Sequence, residues 1–262
     1  MNSVYSLDKS KIKRSFAAAA AGYDDSAALQ RLVGAALLEK FPLEPASGVI
    51  LDVGCGTGYL TRRMAVNFDC QQLVALDVAL PMLYSGRGKA AIPVQYLCAD
   101  AEKMPFSGQS IRQIYSNLAL QWCQNLPAVF ADCKRMLKAD GQLVFATFGT
   151  ATLRELKAAW AAVDEFPHVN EFYGCEQIDQ FLLGAGFRSI CSEAVIYQSP
   201  YPSVMALMHE LKGLGAHNVN LARNRKTTTR QQLQRMINRY ENNMAGAELL
   251  ASYEIIFVRA KT

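Results

Sequence analysis

None of the seven cysteines falls in a C-x-x-C pair, and the sequence has only three histidines. The ligand spacing of a zinc centre is missing, so no metal is expected. The cysteines (55, 70, 98, 123, 133, 175 and 191) are odd in number, and several lie in apolar runs, as Cys98 does in VQYLCAD. That usage fits reduced, mostly buried thiols in a cytoplasmic protein rather than a disulfide scaffold. No apolar run approaches the ~18 residues of a membrane-spanning helix. The segment KIKR (11–14) precedes SFAAAAAG, but the run is short, mostly alanine, and ends at Tyr23-Asp24-Asp25. It reads as a helix with Phe16, Ala20 and Tyr23 on one face, not as a signal peptide. Repeats and low-complexity linkers are absent. The net charge of +4 is too small to indicate nucleic-acid binding by itself.

What is present is an alternation of strands and helices. GVILDVG (48–54), LVALD (73–77), PVQYLCAD (93–100), IRQIYSN (111–117) and QLVFATF (142–148) are apolar, strand-like runs. Helical patterns separate them, and Pro81 opens one near its first turn. This predicts an α/β fold with a Rossmann-like, mostly parallel sheet covered on both faces. Two helices are expected in 8–40, punctuated by Gly22 and Asp24-Asp25. A helix over 127–138 should stop at Ala139-Asp140-Gly141. Beyond 150 come helices near 152–164, 176–184, 202–214 and 230–243, and strands at 187–198 and 250–260. The chain reads as one domain, with a core at about 41–150, 173–200 and 247–262. A helical cap would come from about 8–40, 152–172 and 201–246.

LDVGCGTG (51–58) sits where the first strand turns into the first helix of this alternation. Glycines 54, 56 and 58 leave the backbone open to a ligand. A dinucleotide fingerprint would need its third glycine at position 59, where Tyr59 stands, which counts against NAD. Asp77 and Asp100 end the next two strands, on the rim where open α/β sheets bind ligands.

With the glycine turn and these acids, residues 45–150 resemble the class I S-adenosylmethionine-dependent methyltransferases, whose final strand runs antiparallel. The resemblance implies S-adenosylmethionine as co-substrate. It places Asp52 near the methionine part, Asp77 on the ribose hydroxyls, Asp100 with Ala101 at the adenine amine, and Met82 on the adenine ring. Gly54, Gly56, Gly58 and Asn117 would complete that site.

After the fourth strand stands SNLALQWC (116–123), without the paired prolines that methyltransferases of exocyclic amines carry there. This segment, FAAAAAGYD (16–24), AWAAVDEFPHVNEF (159–172) and LKGLGAHN (211–218) together resemble the malonyl-acyl-carrier-protein O-methyltransferases of biotin synthesis, the BioC family. The likeness runs nearly end to end. It implies methyl transfer to the free carboxylate of a malonyl thioester on an acidic carrier protein or on coenzyme A. The alternatives are a carboxyl methyltransferase for another small acid such as trans-aconitate, an RNA methyltransferase, or a non-catalytic cofactor-binding protein.

A carboxylate is ionised near neutral pH and needs no general base, so the absence of a Ser-His-Asp set is no objection. Candidates to wall the site or hold the carboxylate are Tyr23, Trp122, His168 and Lys212. Residues 223–239 carry six basic residues and no acid. Arg223, Arg225, Lys226, Arg235 and Arg239 are candidates to dock an acidic carrier protein. Lys9, Lys11, Lys13 and Arg14 form a second basic group. No aromatic residues interleave with the basic ones, so RNA ranks lower.

Overall fold

A computed structural model of the chain describes residues 7–45, 48–67, 72–90, 92–216, 218–219, 228–244 and 248–262. The apolar runs become strands β1 (Val49–Val53), β2 (Gln72–Asp77), β3 (Val94–Cys98), β4 (Ile111–Asn117), β5 (Leu137–Phe148), β6 (Ile190–Pro200) and β7 (Leu250–Lys261). They form one sheet in the order β3-β2-β1-β4-β5-β7-β6. Strands β1 to β5 pair in parallel, while β7 is antiparallel to both β5 and β6. The chain leaves β1 towards β2 and β3, then returns to lay β4 on the other side of β1. The topological switch therefore falls between β1 and β4, and open α/β sheets form their ligand crevice at the strand ends there.

Strand alternation sends neighbouring side chains to opposite faces. Leu51, Ile114, Leu143 and Ile256 pack with helices α6 (Leu126–Met136) and α8 (Cys175–Gly184). Ile50, Tyr115, Val144 and Ile255 pack on the other face with α3 (Ala28–Lys40) and α4 (Tyr59–Asn67). The same core takes in α7 (Arg154–Ala161), α9 (Val204–Gly213) and α10 (Arg230–Met244) through Trp160, Leu207 and Tyr240. Helix α5 (Leu80–Gly86) covers β2 and β3 through Leu83. Among the segments expected as a cap, then, α3, α7, α9 and α10 share the core of one sheet face. Helices α1 (Lys9–Ala19) and α2 (Tyr23–Ser26) stand over the strand ends, where Ala20 packs on Met82 and Ala79.

Three local expectations are corrected. Residues 8–40 form three helices, not two, and Asp24-Asp25 lie inside α2 instead of breaking the chain. The 139–141 stop is a bulge inside β5, where Asp140 takes a φ of 59° and lets the strand resume its pairing with β4. Asp100 lies two residues past the end of β3, in the loop. Among the described residues no helix is long and apolar enough to cross a membrane, and no group of His, Cys, Asp or Glu is gathered for a metal.

Candidate active site

The turn after β1 takes its shape from its glycines. Gly54, Gly56 and Gly58 have φ of 71°, 55° and 81°, a region that costs side-chain-bearing residues energy. Gly54 and Cys55 donate their N–H groups to the Leu76 carbonyl at 2.7 and 3.0 Å, which locks the turn to β2. The turn faces a cavity. Asp77, Met82, Asp100, Ala101, Asn117, Tyr23 and Trp122 line it, with Lys9, Ile12 and Phe16 from α1.

Asp77 is buried. One carboxylate oxygen accepts from Gly56 N at 2.9 Å and the other from Ala79 N at 2.8 Å. Burial pushes its pKa up, and these two hydrogen bonds oppose that. The acid thus ties the glycine turn to the start of α5 and still has lone pairs facing the cavity. Asp100 accepts from Glu102 N at 2.9 Å and from the Lys9 ammonium at 2.7 Å. Lys9 also pairs with Glu102.

Asp52 lies deeper, 1% exposed, where Thr61 Oγ1 donates to it at 2.5 Å. Burial raises its pKa to about 7, although the Thr61 hydrogen bond pulls the other way. Asp52 lines a second cavity of about 430 Å³ with Tyr23, Gln30, Arg31 and Asn117. Tyr23, Gly54, Gly56 and Asn117 belong to both cavities. Helix α2 closes this side: Thr57 Oγ1 donates to Asp24 at 2.5 Å. Asn117 Nδ2 donates to the Gln30 carbonyl at 2.8 Å, which fixes the amide and aims its oxygen away. Oδ1 of Asn117 and Oε1 of Gln30 are buried without a hydrogen-bond partner among the described residues. Two orphaned acceptors at such a junction call for a donor such as an ammonium group. A bound amino-acid ammonium fits that demand.

A third cavity, about 650 Å³, shares Trp122 with the first and Gln30 with the second. Its walls are mostly apolar, with Phe148, Leu156, Phe172, Leu211 and Leu214 among them. His168 lines it, stacked on Trp160 at 3.7 Å with Nε2 on Asp164 at 2.8 Å. Asn170, Glu210 and Tyr253 are further polar lining residues. Trp122 stands edge-on to Phe16 at 5.3 Å, so the partition between the first and third cavities rests on α1.

Of the residues expected at the site, the structure brings together Tyr23, Trp122, Asp52, Gly54, Gly56, Asp77, Met82, Asp100, Ala101 and Asn117 around the first two cavities. Gly58 supports the turn from behind, against Gly86 of α5. His168 joins the third cavity. Lys212 does not join any of the three: it is exposed on α9, whose buried residues are Val204 and Leu207. Arg223, Arg225 and Lys226 lie outside the described residues. Arg235 and Arg239 are exposed on α10, opposite buried Met236 and Tyr240. Lys9 and Lys11 are not a free basic group, because Lys9 holds Asp100 and Lys11 donates to the Asn218 carbonyl at 3.1 Å.

Sequence reasoning read Lys9 only as part of a basic group and missed Gln30 and Glu210. Lys9 latches α1 over the first cavity through partners 91 and more residues away. Lys9→Met is therefore expected to weaken cofactor binding up to about fivefold, the effect of losing a half-exposed ion pair, with little change in melting. The loss should shrink between 0.05 and 0.5 M salt. Calorimetry at the two salt concentrations measures it; affinity equal to wild type would remove α1 latching from the site.

A family model described as "Methyltransferase domain" matches residues 51–145. The phosphoethanolamine N-methyltransferase 2 of Haemonchus contortus, solved with S-adenosyl-L-methionine, shares the fold: TM-score 0.54 and 18% identity over 87% of this chain and 52% of that one. A mostly parallel sheet with an antiparallel seventh strand, a glycine turn and acids at or just past successive strand ends defines a class I S-adenosylmethionine-dependent methyltransferase. Among relatives, a malonyl-[acyl-carrier protein] O-methyltransferase of Methylococcus capsulatus is 41% identical over 92% of this chain and 90% of its own length. The biotin biosynthesis bifunctional protein BioHC of Cellvibrio japonicus is 37% identical over 96% of this chain, which spans 50% of that longer protein. The chain belongs to the malonyl-[acyl-carrier protein] O-methyltransferase family.

Proposed function

We propose that this enzyme transfers a methyl group from S-adenosylmethionine to the free carboxylate of a malonyl thioester carried by acyl carrier protein. The methyl ester removes a charge that would block chain extension, and so starts a dicarboxylate precursor of biotin. The observation that carries the reading is the third cavity. It adjoins the cofactor cavities across Trp122 and Gln30 and is built by α9 and the 148–172 segment, parts of the chain that the full-length relatives share.

S-adenosylmethionine, when bound, supplies a methyl group activated on a sulfonium. The chain's own residues bind and orient. Asp77 would accept from the ribose hydroxyls, Asp100 with Ala101 would receive the adenine amine, and Met82 would pack on the ring. Asn117, Gln30 and Asp52 would hold the methionine ammonium. Tyr23 and Trp122 exclude water from the junction of the cavities, and His168 is the basic side chain that lines the acceptor cavity among the described residues. An ionised carboxylate needs no base, so the enzyme supplies proximity and alignment, worth about 7–11 kcal/mol. Lys212, exposed on α9, is not retained as a carboxylate ligand.

The test presents labelled S-adenosylmethionine with malonyl carrier protein, malonyl-CoA, trans-aconitate and bulk tRNA in parallel. Label is expected on the malonyl thioesters. Label on trans-aconitate or tRNA alone would replace this reading with another acceptor. Arg235 and Arg239 are the described part of the docking surface for the carrier. Neutralising them should slow the carrier-bound substrate in a salt-sensitive way and spare malonyl-CoA.

Asp52 adds a pH dependence. Its carboxyl loses its proton only near pH 7 in the free protein. The affinity for S-adenosylmethionine should therefore rise between pH 6 and 8, and Asp52→Asn should flatten that rise. Stability runs the opposite way. The neutral form suits the buried position, so its contribution is whole below the unfolded value of 3.8 and is lost as pH climbs through about 7. Asp52→Asn should accordingly melt above wild type at pH 8 by more than it does at pH 5. Parallel pH profiles of variant and wild type would remove Asp52 from both roles.

A further inference from the structure

The third cavity contains a carboxylate that the methyl-transfer reading does not use. Glu210, on α9, lines it, and Tyr201 donates its hydroxyl to Glu210 Oε1 at 2.7 Å. The Tyr201 hydroxyl also meets that of Tyr253 at 3.0 Å, and Tyr253 lines the same cavity. Hydrogen-bonded tyrosines hold the acid in place, but among the described residues no lysine or arginine pairs with it. Among the described lining residues Glu210 is the one acid and His168 the one basic side chain. Glu210 and Tyr253 stand on a wall that neither cofactor cavity shares, whereas Gln30 and Trp122 stand on the shared one.

An acceptor must place one carboxylate towards the shared wall, where the methyl group arrives. The remainder of the molecule occupies a cavity that holds a fixed negative charge. A thioester there is neutral, and its pantetheine amides offer N–H donors to Glu210 and Tyr253. A second free carboxylate there meets a like charge in an apolar enclosure, where repulsion is weakly screened. The geometry points to Glu210 as the residue that excludes free diacids, so that the enzyme selects the monoanionic malonyl thioester over malonate itself. This rests on the acceptor reading of the third cavity given above.

The test compares methyl transfer to malonyl-CoA, free malonate and monomethyl malonate, the last being a monoanion of nearly the same size. Wild type should use monomethyl malonate at least tenfold better in kcat/KM than malonate. Glu210→Gln should raise the malonate to malonyl-CoA ratio of kcat/KM at least tenfold and erase the preference for the monoanion. Tyr201→Phe removes a hydrogen bond but keeps the charge, so its ratio should stay within threefold of wild type. The inference is overturned if wild type does not favour the monoanion. It is equally overturned if Glu210→Gln leaves the ratio unchanged, or if Tyr201→Phe relaxes it as much. The wild-type comparison stands even where a variant fails to fold. No transfer to any malonyl thioester by wild type would instead reject the acceptor reading itself.

Discussion

Gly54→Ala is expected to reduce methyl transfer more than 100-fold and to lower stability by about 3 kcal/mol or more. Two effects add. Gly54 has φ 71°, where a side chain is strained. A Cβ there would also stand 2.2 Å from the Ala119 Cβ. Ala119 cannot retreat cheaply, because its neighbour Leu118 is itself left-handed at φ 50° and donates to the Ala146 carbonyl at 2.9 Å. The strain would pass to the 3-10 turn Leu120–Trp122, which carries the partition between the cofactor and acceptor cavities. Gly184→Ala is the control. It ends α8 with nothing within 4 Å of an added Cβ, so stability should hold or rise by up to about 1 kcal/mol. Melting curves and single-turnover rates for both variants decide the matter, and wild-type activity in Gly54→Ala would mean that the turn tolerates a side chain.

Asp77→Ala is expected to raise the dissociation constant for S-adenosylmethionine by about 10- to 150-fold, or 1.5–3 kcal/mol for hydrogen bonds to a charged acceptor. The acid also holds Gly56 N and Ala79 N, so its removal leaves two backbone donors to find new partners. Stability should fall by about 1–3 kcal/mol. Release of the buried carboxylate, whose pKa burial has raised, offsets part of that loss. Asp77→Asn should fall between the variant and wild type, because one amide oxygen can still accept. Calorimetry on the folded variants measures this; an unchanged dissociation constant in Asp77→Ala would place the ribose elsewhere.

The two variants probe the part of the site that was legible in the sequence. The glycine turn and Asp77 act through local geometry. A buried apolar strand, a turn that only glycine adopts cheaply and an acid on the next strand end each follow from spacing of a few residues. The surface position of Lys212 was also legible. Val204, Leu207, Leu211 and Leu214 mark the inward stripe of α9 at helical spacing, and position 212 points away from it while 210 flanks it.

The sequence by itself thus determined the order of strands and helices, the cofactor turn with its acids and, through end-to-end resemblance, the family. Tertiary structure alone decided what those parts enclose. Lys9 meets Asp100, Asn117 meets Gln30, and Tyr201 links Glu210 to Tyr253 beside the third cavity, with each pair drawn from distant parts of the chain. Such pairs arise because α1, α3, α9 and β7 are packed by their apolar faces. Hydrophobic burial fixes where each helix lies but leaves no local signature of which polar side chain on its rim will face which other. The third cavity, the proposed acceptor site, is made of those rims, so it appears only when the sheet and its helices are assembled.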